Sequence, residues 1–297
     1  MKKKITLEQR SERTAYMTLI PLLIVLFVVR GIPMAMAFIK SFYTWDGGLK
    51  NEWVGLKNYI NLFKNKELGT MIGNNLFLLL HIPLQIIPAF IFAMLIYERV
   101  PGWRIFRSLY YLPQVTSIVV IGTLFRTLFR ASGPLNGLLE QIGLEFLARD
   151  WLGNRSSALV VIMLAMIWQS LGWQILIFSG GLSSMDTSVI EAATVDGANY
   201  WQRLFRVILP LQIRSIEYSV VVSIIWVFSG LYTFIYTITD GGPGYDTTTL
   251  DYMVYLKAFR SSGQLGAACA CAVVLLLIVL VLVWVQRKLT DKAGEWQ

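Results

Sequence analysis

Charged residues are scarce in this sequence: Asp, Glu, Lys and Arg together make up 15% of the chain, whereas hydrophobic residues make up 56%. Soluble globular domains carry about 25% charged residues, so this balance excludes an ordinary water-soluble fold. A bilayer core about 30 Å thick needs roughly 20 apolar residues per helical crossing. The 297 residues therefore allow several crossings and their loops, and we expect one membrane domain.

Cysteine and histidine are also rare. Cys269 and Cys271 lie inside an apolar run, where neither a zinc site nor an accessible disulfide is expected, so they are interpreted as small packing residues. His81 lies in another apolar run with no Cys, Asp or Glu at ligand spacing, which favours a packed, hydrogen-bonded side chain. The sequence therefore predicts no metal site.

A phosphate-binding loop is absent as well, because no Gly-x-x-x-x-Gly-Lys-Ser/Thr pattern occurs. A chain without this loop has no means to cradle ATP, so we expect it to be no enzyme and to bind no cofactor. Its net charge of +8 would suggest nucleic acid in a soluble protein. In a membrane protein the same excess is typical of Lys and Arg retained in cytoplasmic loops, and no nucleic acid is expected.

Six apolar stretches are long enough to cross a bilayer as helices, and an even number places both termini on one side. The sequence thus predicts an all-α polytopic membrane protein with a transmembrane domain over 17–287, a polar loop at 186–211, and tails at 1–16 and 288–297. The predicted spans are Met17–Phe38, Met71–Tyr97, Leu109–Leu128, Ala158–Leu182, Tyr218–Ile238 and Leu265–Val285.

Basic residues indicate that both termini are cytoplasmic, since Lys and Arg are enriched in cytoplasmic segments. They cluster in both tails, after the second span, and between the fourth and fifth spans. Lysines in the first outer loop are an exception to the rule. The basic residues of the four inner segments are Lys2, Lys3, Lys4, Arg10, Arg13, Arg99, Arg104, Arg107, Arg203, Arg206, Arg214, Arg287, Lys288 and Lys292.

The N-terminal stretch has an alternative interpretation. A basic start, an apolar run and the triplet Ala35-Met36-Ala37 superficially resemble a cleavable signal peptide. An uncleaved first span is preferred, because removal would leave five crossings and place the C-terminal tail on the side opposite to its positive charge.

The loop between the fourth and fifth spans is too polar to cross and too regular to be loose. The stretch from Glu191 is rich in helix formers, and Gly197 can take the left-handed backbone that ends a helix and turns the chain. Helical spacing resumes over 200–207, and Pro210 is expected to start the next element. The sequence predicts a knob of two short helices whose apolar residues need a docking partner. These apolar residues are Ala192, Ala193, Val195 and Ala198.

This loop resembles the EAA loop of binding-protein-dependent ABC importer permeases. That pattern runs Glu-Ala-Ala, two residues, Asp-Gly-Ala and a hydrophobic stretch ending in Leu-Pro, and every position matches between Glu191 and Pro210. The resemblance implies the type I importer permease fold and a coupling element held in a cleft of a cytoplasmic ATPase, which carries ATP and Mg²⁺. The residues implied in coupling are Glu191, Ala192, Ala193, Asp196, Gly197 and Ala198.

Weaker motifs extend the resemblance along the chain and narrow it to the larger-type permease subunit of carbohydrate importers. Unlike the larger permease of the maltose transporter, this chain shows no extra N-terminal spans and no large external domain. The motifs lie at 41–45, 54–59, 111–113, 133–136 and 240–244, followed by the threonines at 247–249.

Candidate solute residues lie on the two spans that flank the polar loop. Sugars are bound by hydrogen bonds to their hydroxyls and by stacking on aromatic rings, so Trp, Gln and Ser on shared helix faces are the side chains of interest. The resemblance to sugar permeases implies a site on these spans, although such residues also serve as interhelical packing. The candidates are Trp168, Gln169, Trp173, Gln174, Ser223, Trp226 and Gly230.

The resemblance also implies four kinds of partner: a second permease subunit, a cytoplasmic ATPase dimer, an external solute-binding protein and a small solute, most simply a sugar. A glycine-rich outer loop is the expected contact for the binding protein, because it can form a rigid turn beside a partner. Its residues are Asp240, Gly241, Gly242, Pro243 and Gly244.

Two alternatives stay open at this stage. Within the same class, the solute could be glycerol phosphate or another polyol-like compound. A secondary transporter would instead need buried acidic relays. No acidic residue lies inside a predicted span, and the nearest, Glu217, lies at the cytoplasmic edge of the fifth.

Overall fold

The computed structural model describes residues 7–294, which are mainly helical and form two compact units. The first unit comprises Met1–Lys64 and Leu256–Val273, and the second comprises Asn65–Tyr255 and Val274–Gln297. Both predicted tails lie partly outside the described residues. Several of the basic residues that support a cytoplasmic placement are either in these parts or have side chains that are not described. These basic residues are Lys2, Lys3, Lys4, Arg10, Arg13 and Lys292.

The first unit begins with a long helix whose side chains are exposed along the candidate span Tyr16–Lys40. Exposed apolar side chains suit a helix surrounded by lipid or by another protein, and Arg30 is exposed among them. This unit contains α1 (Leu7–Leu26), a π-helical segment (Phe27–Gly31), α2 (Ile32–Lys40), β1 (Tyr43–Trp45), β2 (Asn51–Trp53) and α3 (Lys57–Lys64).

A short hairpin follows α2, which the sequence did not predict. β1 and β2 pair in antiparallel fashion with Tyr43 opposite Trp53. Asn58 Nδ2 donates hydrogen bonds to Ser41 O at 2.8 Å and Tyr43 O at 2.9 Å, so a buried amide fixes the start of the hairpin. A Cβ at Gly266 would lie 2.0 Å from Tyr43 O, which explains glycine where the last helix passes this strand.

The remaining helices follow in chain order, joined by short turns. They are α4 (Leu68–Leu78), α5 (His81–Tyr97), α6 (Trp103–Val115), α7 (Ile118–Phe129), α8 (Pro134–Gln141), a 3₁₀ turn (Glu145–Leu147), α9 (Arg155–Ser183), α10 (Thr187–Val195), α11 (Tyr200–Arg203), a π-helical segment (Leu204–Ile208), α12 (Leu209–Leu211), α13 (Ile213–Ser229), α14 (Tyr232–Ile238), α15 (Leu250–Tyr255), a π-helical segment (Leu256–Arg260) and α16 (Leu265–Gly294).

The core of the second unit forms where α5 packs against α9. Phe90 and Phe178 meet edge to face with ring centroids 5.5 Å apart, within a cluster that also buries Ala93, Leu182 and Ile208. Small residues let the helix backbones approach closely, as is common in membrane proteins. A Cβ at Gly172 of α9 would lie 2.7 Å from Tyr110 O of α6, so α6 can lie close to α9 only with glycine there.

Four of the predicted spans are confirmed as long helices, with ends that shift by a few residues. Among the described residues, five helices are long and apolar enough to cross a membrane, or six if the pair Tyr200–Leu211 and Ile213–Ser229, bent by 62°, counts as one. The five are Tyr16–Lys40, Leu68–Tyr97, Ile118–Gln141, Arg155–Ser183 and Leu265–Thr290.

The predicted third span, Leu109–Leu128, is wrong as a single helix. α6 ends at Val115, Thr116 is extended at ψ 140°, and α7 starts only at Ile118. Thr116 N still bonds to Pro113 O, and the extended backbone at Thr116 ends the helix. Pro113, Gln114, Thr116 and Ser117 lie beside the interruption, a local signal that the length and average hydrophobicity of the stretch concealed.

The predicted fifth span, Tyr218–Ile238, is also two helices. α13 ends at Ser229, Gly230 caps it with φ −123°, and α14 begins at Tyr232. Pro210, expected to start the next element, lies in the first turn of the short helix α12, and α13 starts after Gln212.

Candidate solute cavity and docking knob

The segment 186–211, called the knob here, consists of short helices arranged about Gly197. Asp186 caps α10 by accepting a hydrogen bond from Ser188 N at 2.9 Å, and this bond lowers the pKa of the Asp186 carboxyl. Gly197 has φ +81°, the left-handed conformation that favours glycine after a helix. Asn199 and Gln202 then form a reciprocal capping box at the start of α11. The predicted pair of short helices about Gly197 is present.

One face of the knob exposes apolar and aromatic side chains. Val195 is 87% exposed, Trp201 63% and Phe205 60%, and the rings of Trp201 and Phe205 stack with centroids 6.1 Å apart. Glu191 and Ala192 are exposed on α10. Large exposed apolar side chains beside polar groups are typical of a surface that another protein covers.

The knob packs against the end of α5 through one side chain of its π-helical segment. Ile208 packs in the same core cluster as Met94. A cavity of about 290 Å³ separates the two segments, and Glu98 at the end of α5 lines it together with Glu191 and Tyr200 from the knob. The knob therefore lies against the end of α5.

A second cavity, of about 340 Å³, lies among α5, α6, α9 and α13 and is called the amide cavity here. Ten side chains line it, and most are amides, hydroxyls or aromatic rings. The lining residues are His81, Gln85, Gln114, Gln169, Ser170, Trp173, Gln174, Val222, Ser223 and Trp226.

Hydrogen bonds hold Gln174 rigidly at this cavity. Its Nε2 donates to Ser223 Oγ at 2.9 Å, and its Oε1 accepts from Ser219, which joins α9 to α13. Buried amides satisfied in this way fix the helices that carry them. Both Gln174 and Ser223 are buried.

Three polar atoms on lining residues have no partner among the described residues: Gln85 Oε1, Gln114 Oε1 and Trp226 Nε1. A buried polar atom without a hydrogen bond costs about 1–3 kcal/mol. Such atoms persist where a ligand, water or a conformational change supplies the missing partner. The cavity is therefore equipped to hold a small polar molecule.

Five of the seven candidate residues on the flanking spans come together in the amide cavity, but Trp168 and Gly230 do not line it. Trp168 is 40% exposed and packs on Phe125, with ring centroids 5.9 Å apart. Gly230 contributes indirectly: a Cβ there would lie 2.7 Å from the Trp226 ring, so its missing side chain leaves room for that indole.

The sequence reasoning missed His81, Gln85, Gln114 and Ser170. His81 and Gln85 are four residues apart on α5 and share a face, so polar residues at helical spacing inside an apolar span were an available signal. Gln114 follows Pro113 near the break between α6 and α7, which the sequence did not reveal. His81 is packed and hydrogen-bonded as expected, and it also lines the cavity.

The glycine-rich loop after α14 is held at both ends and exposed in the middle. Tyr252 Oη donates to Asp240 Oδ1 at 2.5 Å, whereas Pro243 and Gly244 are exposed. The threonines at 247–249 are buried.

Two consecutive asparagines of α4 position this loop, and neither was singled out from the sequence. Asn74 Nδ2 donates to Asp246 O and Thr248 O, both at 2.8 Å. Asn75 Nδ2 donates to Val227 O at 2.8 Å, and its Oδ1 accepts from Leu250 N at 3.0 Å. These two amides therefore hydrogen-bond the loop and the end of α13 to α4.

Asp251 follows the loop and lies outside the candidate membrane spans. Burial raises the pKa of its carboxyl from 3.8 to about 6, although a hydrogen bond from Thr249 Oγ1 opposes the shift. No group of three or more His, Cys, Asp or Glu side chains that could hold a metal occurs in the described part of the chain.

Apolar helices of bilayer length with a polar cavity between them define a polytopic membrane protein. The chain belongs to the family described as binding-protein-dependent transport system inner membrane component, whose model matches residues 68–294. Members of this family are transport permease subunits of ABC importers and not enzymes.

Relatives of known sequence agree over most of the chain. The probable ABC transporter permease protein YurN of Bacillus subtilis is 32% identical over 252 residues, covering 82% of this chain and 85% of YurN. The multiple sugar-binding transport system permease protein MsmF of Streptococcus mutans is 32% identical and covers 77% and 79%. The sn-glycerol-3-phosphate transport system permease protein UgpA of Yersinia pestis is 29% identical and covers 82% and 83%.

The fold matches a solved transporter. A chain in the crystal structure of a bacterial ABC transporter that imports the acidic polysaccharide alginate superposes with a TM-score of 0.81 over 96% of this chain and 97% of that one. The two sequences are 21% identical, so the match establishes the helical permease fold.

Proposed function

We propose that this chain is a permease subunit of an ATP-driven carbohydrate importer and that the amide cavity is its solute site. The observation that carries the proposal is the cavity itself, in which amides, hydroxyls and two indoles converge between the helices on either side of the knob. Sugars need this combination of hydrogen-bonding groups and aromatic faces. The relative named for multiple-sugar transport supports the same solute class.

The proposed topology has six spans with both termini cytoplasmic. The third span becomes Ile118–Gln141, and the fifth is α13, which ends at Ser229; the segment Tyr200–Leu211, bent by 62° relative to α13, stays outside the membrane as part of the knob. The knob then lies on the cytoplasmic side, where its basic residues Arg203 and Arg206, and Arg214 at the start of α13, agree with the charge rule. The glycine-rich loop lies on the opposite side.

The knob is proposed to dock into a cleft of a cytoplasmic ATPase, which binds ATP and Mg²⁺. Exposed Val195, Trp201 and Phe205 provide apolar contact area, and exposed Glu191 provides a charge at its edge. Because the knob lies against the end of α5, closure of the ATPase can be passed to a helix that lines the amide cavity. A second permease subunit completes the pathway, and an external binding protein contacts the loop that begins at Asp240.

The solute site can be tested by uptake of radiolabelled sugars into proteoliposomes that contain the complete importer. Gln174→Ala removes the bridge between α9 and α13 and costs about 1–3 kcal/mol of stability where they line the cavity. We expect uptake to fall roughly several-fold while the ATPase stays bound. Trp168→Phe is the matched control, because Trp168 does not line the cavity. Equal uptake in Gln174→Ala and the unchanged chain would refute the site.

Glycerol phosphate remains a second candidate because UgpA aligns over 82% of the chain. The same assay with labelled glycerol 3-phosphate distinguishes the two solutes.

A further inference from the structure

We propose that α3 lies in the headgroup layer of the membrane as an interfacial anchor and that its lysines bind anionic phospholipid headgroups. The inference requires only that the helix Tyr16–Lys40 crosses the bilayer, and it is independent of the role proposed for the amide cavity. In the proposed topology the leaflet concerned is the outer one. The residues concerned are Trp53, Leu56, Lys57, Ile60, Phe63 and Lys64.

Helix α3 turns an apolar stripe outward. Leu56, Ile60 and Phe63 are spaced four and three residues apart, so they share one face, and they are 60%, 49% and 64% exposed. Leu56 belongs to this face because Ile60 N donates to Leu56 O at 2.9 Å. Asn58 and Leu62 lie two residues to either side of Ile60, about half a turn away, and both are buried. The stripe is therefore not the face by which α3 packs on the protein.

Trp53 of β2 extends the apolar surface beyond α3. Its ring stacks on Phe42 with centroids 5.6 Å apart, and the side chain is nevertheless 65% exposed. Glu52 precedes it on the strand, and successive strand residues point to opposite faces, so the acidic side chain is directed away from the Trp53 face. Tryptophan beside the end of a span is typical of the membrane–water interface.

Hydrogen bonds hold α3 at the depth where the first span leaves the bilayer. The span Tyr16–Lys40 has 25 residues and is about 37 Å long, which exceeds a hydrocarbon core of about 30 Å but not a full bilayer of about 40–45 Å. Its last residues therefore lie in a headgroup layer. Asn58 Nδ2 donates to Ser41 O at 2.8 Å, and Ser41 Oγ lies 2.6 Å from Tyr59 Oη. Because Ser41 follows the span directly, α3 is fixed at the level of the headgroups.

Lys57 and Lys64 give this surface its charge. At about 100° per residue they lie together on one flank of the stripe. Both are exposed, and neither has a hydrogen bond or an ion pair within the described chain, while α3 itself contains no Asp or Glu. Lysines beside an apolar stripe can lay their stems along it and extend their ammonium groups to lipid phosphates. The lysines that are an exception to the charge rule in the first outer loop thereby gain a role at the lipid surface.

The small area of the stripe favours lipid over a protein partner. α3 has eight residues and is about 12 Å long, so one of its faces offers on the order of 100 Å². A stable protein interface takes about 800 Å² from each partner. A bilayer sets no such requirement, because the span already holds α3 at the membrane surface.

The test measures the depth of a fluorophore on α3 in the complete importer. Ile60→Cys, combined with Cys269→Ala and Cys271→Ala, is labelled with nitrobenzoxadiazole, and the importer is placed in nanodiscs of phosphatidylcholine with about one third phosphatidylglycerol. Asn61→Cys is the matched control, since Asn61 is exposed on the same helix but lies off the stripe. The importer labelled without either substitution gives the background.

We expect lipids that carry a nitroxide near the headgroup to quench the label at position 60 at least about threefold more than the label at position 61. Iodide in the water should quench the label at position 61 more strongly. Iodide quenching that is equally strong for both labels would place α3 in water, and protection of position 60 from both quenchers would place another protein over the stripe. Either result would overturn the inference.

Lysine variants test the recognition of anionic headgroups. With Lys57→Gln and Lys64→Gln together, nitroxide quenching at position 60 should fall at least about twofold, as it should in nanodiscs of phosphatidylcholine alone. Lys57→Arg with Lys64→Arg should retain the quenching, because Arg keeps the charge. Equal quenching in the Gln and Arg variants would overturn the assignment of the lysines to headgroups. None of these measurements uses sugar uptake, so they leave the proposed solute site to its own test.

Discussion

At the scale of single residues, Gly230 controls the position of an indole in the amide cavity. A Cβ would come within 2.7 Å of the Trp226 ring, while the backbone, at φ −123°, suits any residue. Gly230→Ala should therefore act by steric overlap, which typically costs about 1–3 kcal/mol. We expect sugar uptake to fall as the indole is displaced, with assembly of the importer unchanged.

Gly180→Ala is the matched control for this prediction. It lies on α9, and a Cβ there would meet no atom within 4 Å. Alanine is also the better helix former, so stability should be equal or slightly higher. Equal losses of uptake in the two variants would contradict the steric explanation.

Asp251 predicts a pH dependence of stability. Because its pKa is raised from 3.8 to about 6, the folded protein binds this proton more tightly than the unfolded chain does. The contribution of Asp251 to stability should be fully present below about pH 4, fall as pH rises from about 4 to about 6, and stay level above that, with a total change on the order of 1–3 kcal/mol.

Thermal denaturation of the purified complex between about pH 4.5 and 7.5 measures this effect, with Asp251→Asn expected to flatten the slope because it cannot ionise. Asp246→Asn provides the control, since that side chain is exposed on the neighbouring loop. A slope that persists unchanged in Asp251→Asn would assign the pH dependence to another group.

At the scale of elements, the turn at Gly197 determines the direction in which the knob faces. Gly197→Val should strain the backbone by about 1–3 kcal/mol, because φ is +81° and β-branched residues avoid that region. A Cβ there would touch nothing within 4 Å, so the effect is on the backbone alone. We expect the ATPase to co-purify poorly and uptake to fall.

Gly197→Asn tests whether the left-handed backbone or glycine itself is required, because Asn tolerates the left-handed conformation. It should retain most of the coupling. Trp226→Ala should give the opposite pattern, with weak uptake and the ATPase still attached. Full coupling in Gly197→Val, or loss of the ATPase from Trp226→Ala, would argue against the roles proposed for the knob and the amide cavity.

At the scale of the whole molecule, the chain provides one knob and part of a pathway, which predicts a larger assembly. The span Tyr16–Lys40 buries none of its most apolar window within the described chain, so lipid or a partner must cover it. We expect native mass spectrometry of the purified importer to show this chain with a second, different permease and two ATPase copies. A transport-competent complex with two copies of this chain and no other permease would indicate a homodimer.

The sequence alone determined features that depend on local pattern. Apolar runs of bilayer length predicted four helices correctly, because lipid requires each crossing to satisfy its own backbone hydrogen bonds. The left-handed turn at Gly197 was predictable as well, since glycine, flanking helix formers and the EAA pattern all indicate it.

Only the tertiary structure decided how distant side chains combine. The breaks at Thr116 and Gly230 lie inside stretches whose average hydrophobicity suffices for one crossing, so two predicted spans were wrong. The amide cavity joins residues from four helices, and whether an amide there is paired depends on a partner far along the chain, as Gln85 and Ser170 illustrate. Local pattern specifies which segments enter the membrane, whereas helix packing specifies which polar atoms remain available to a solute.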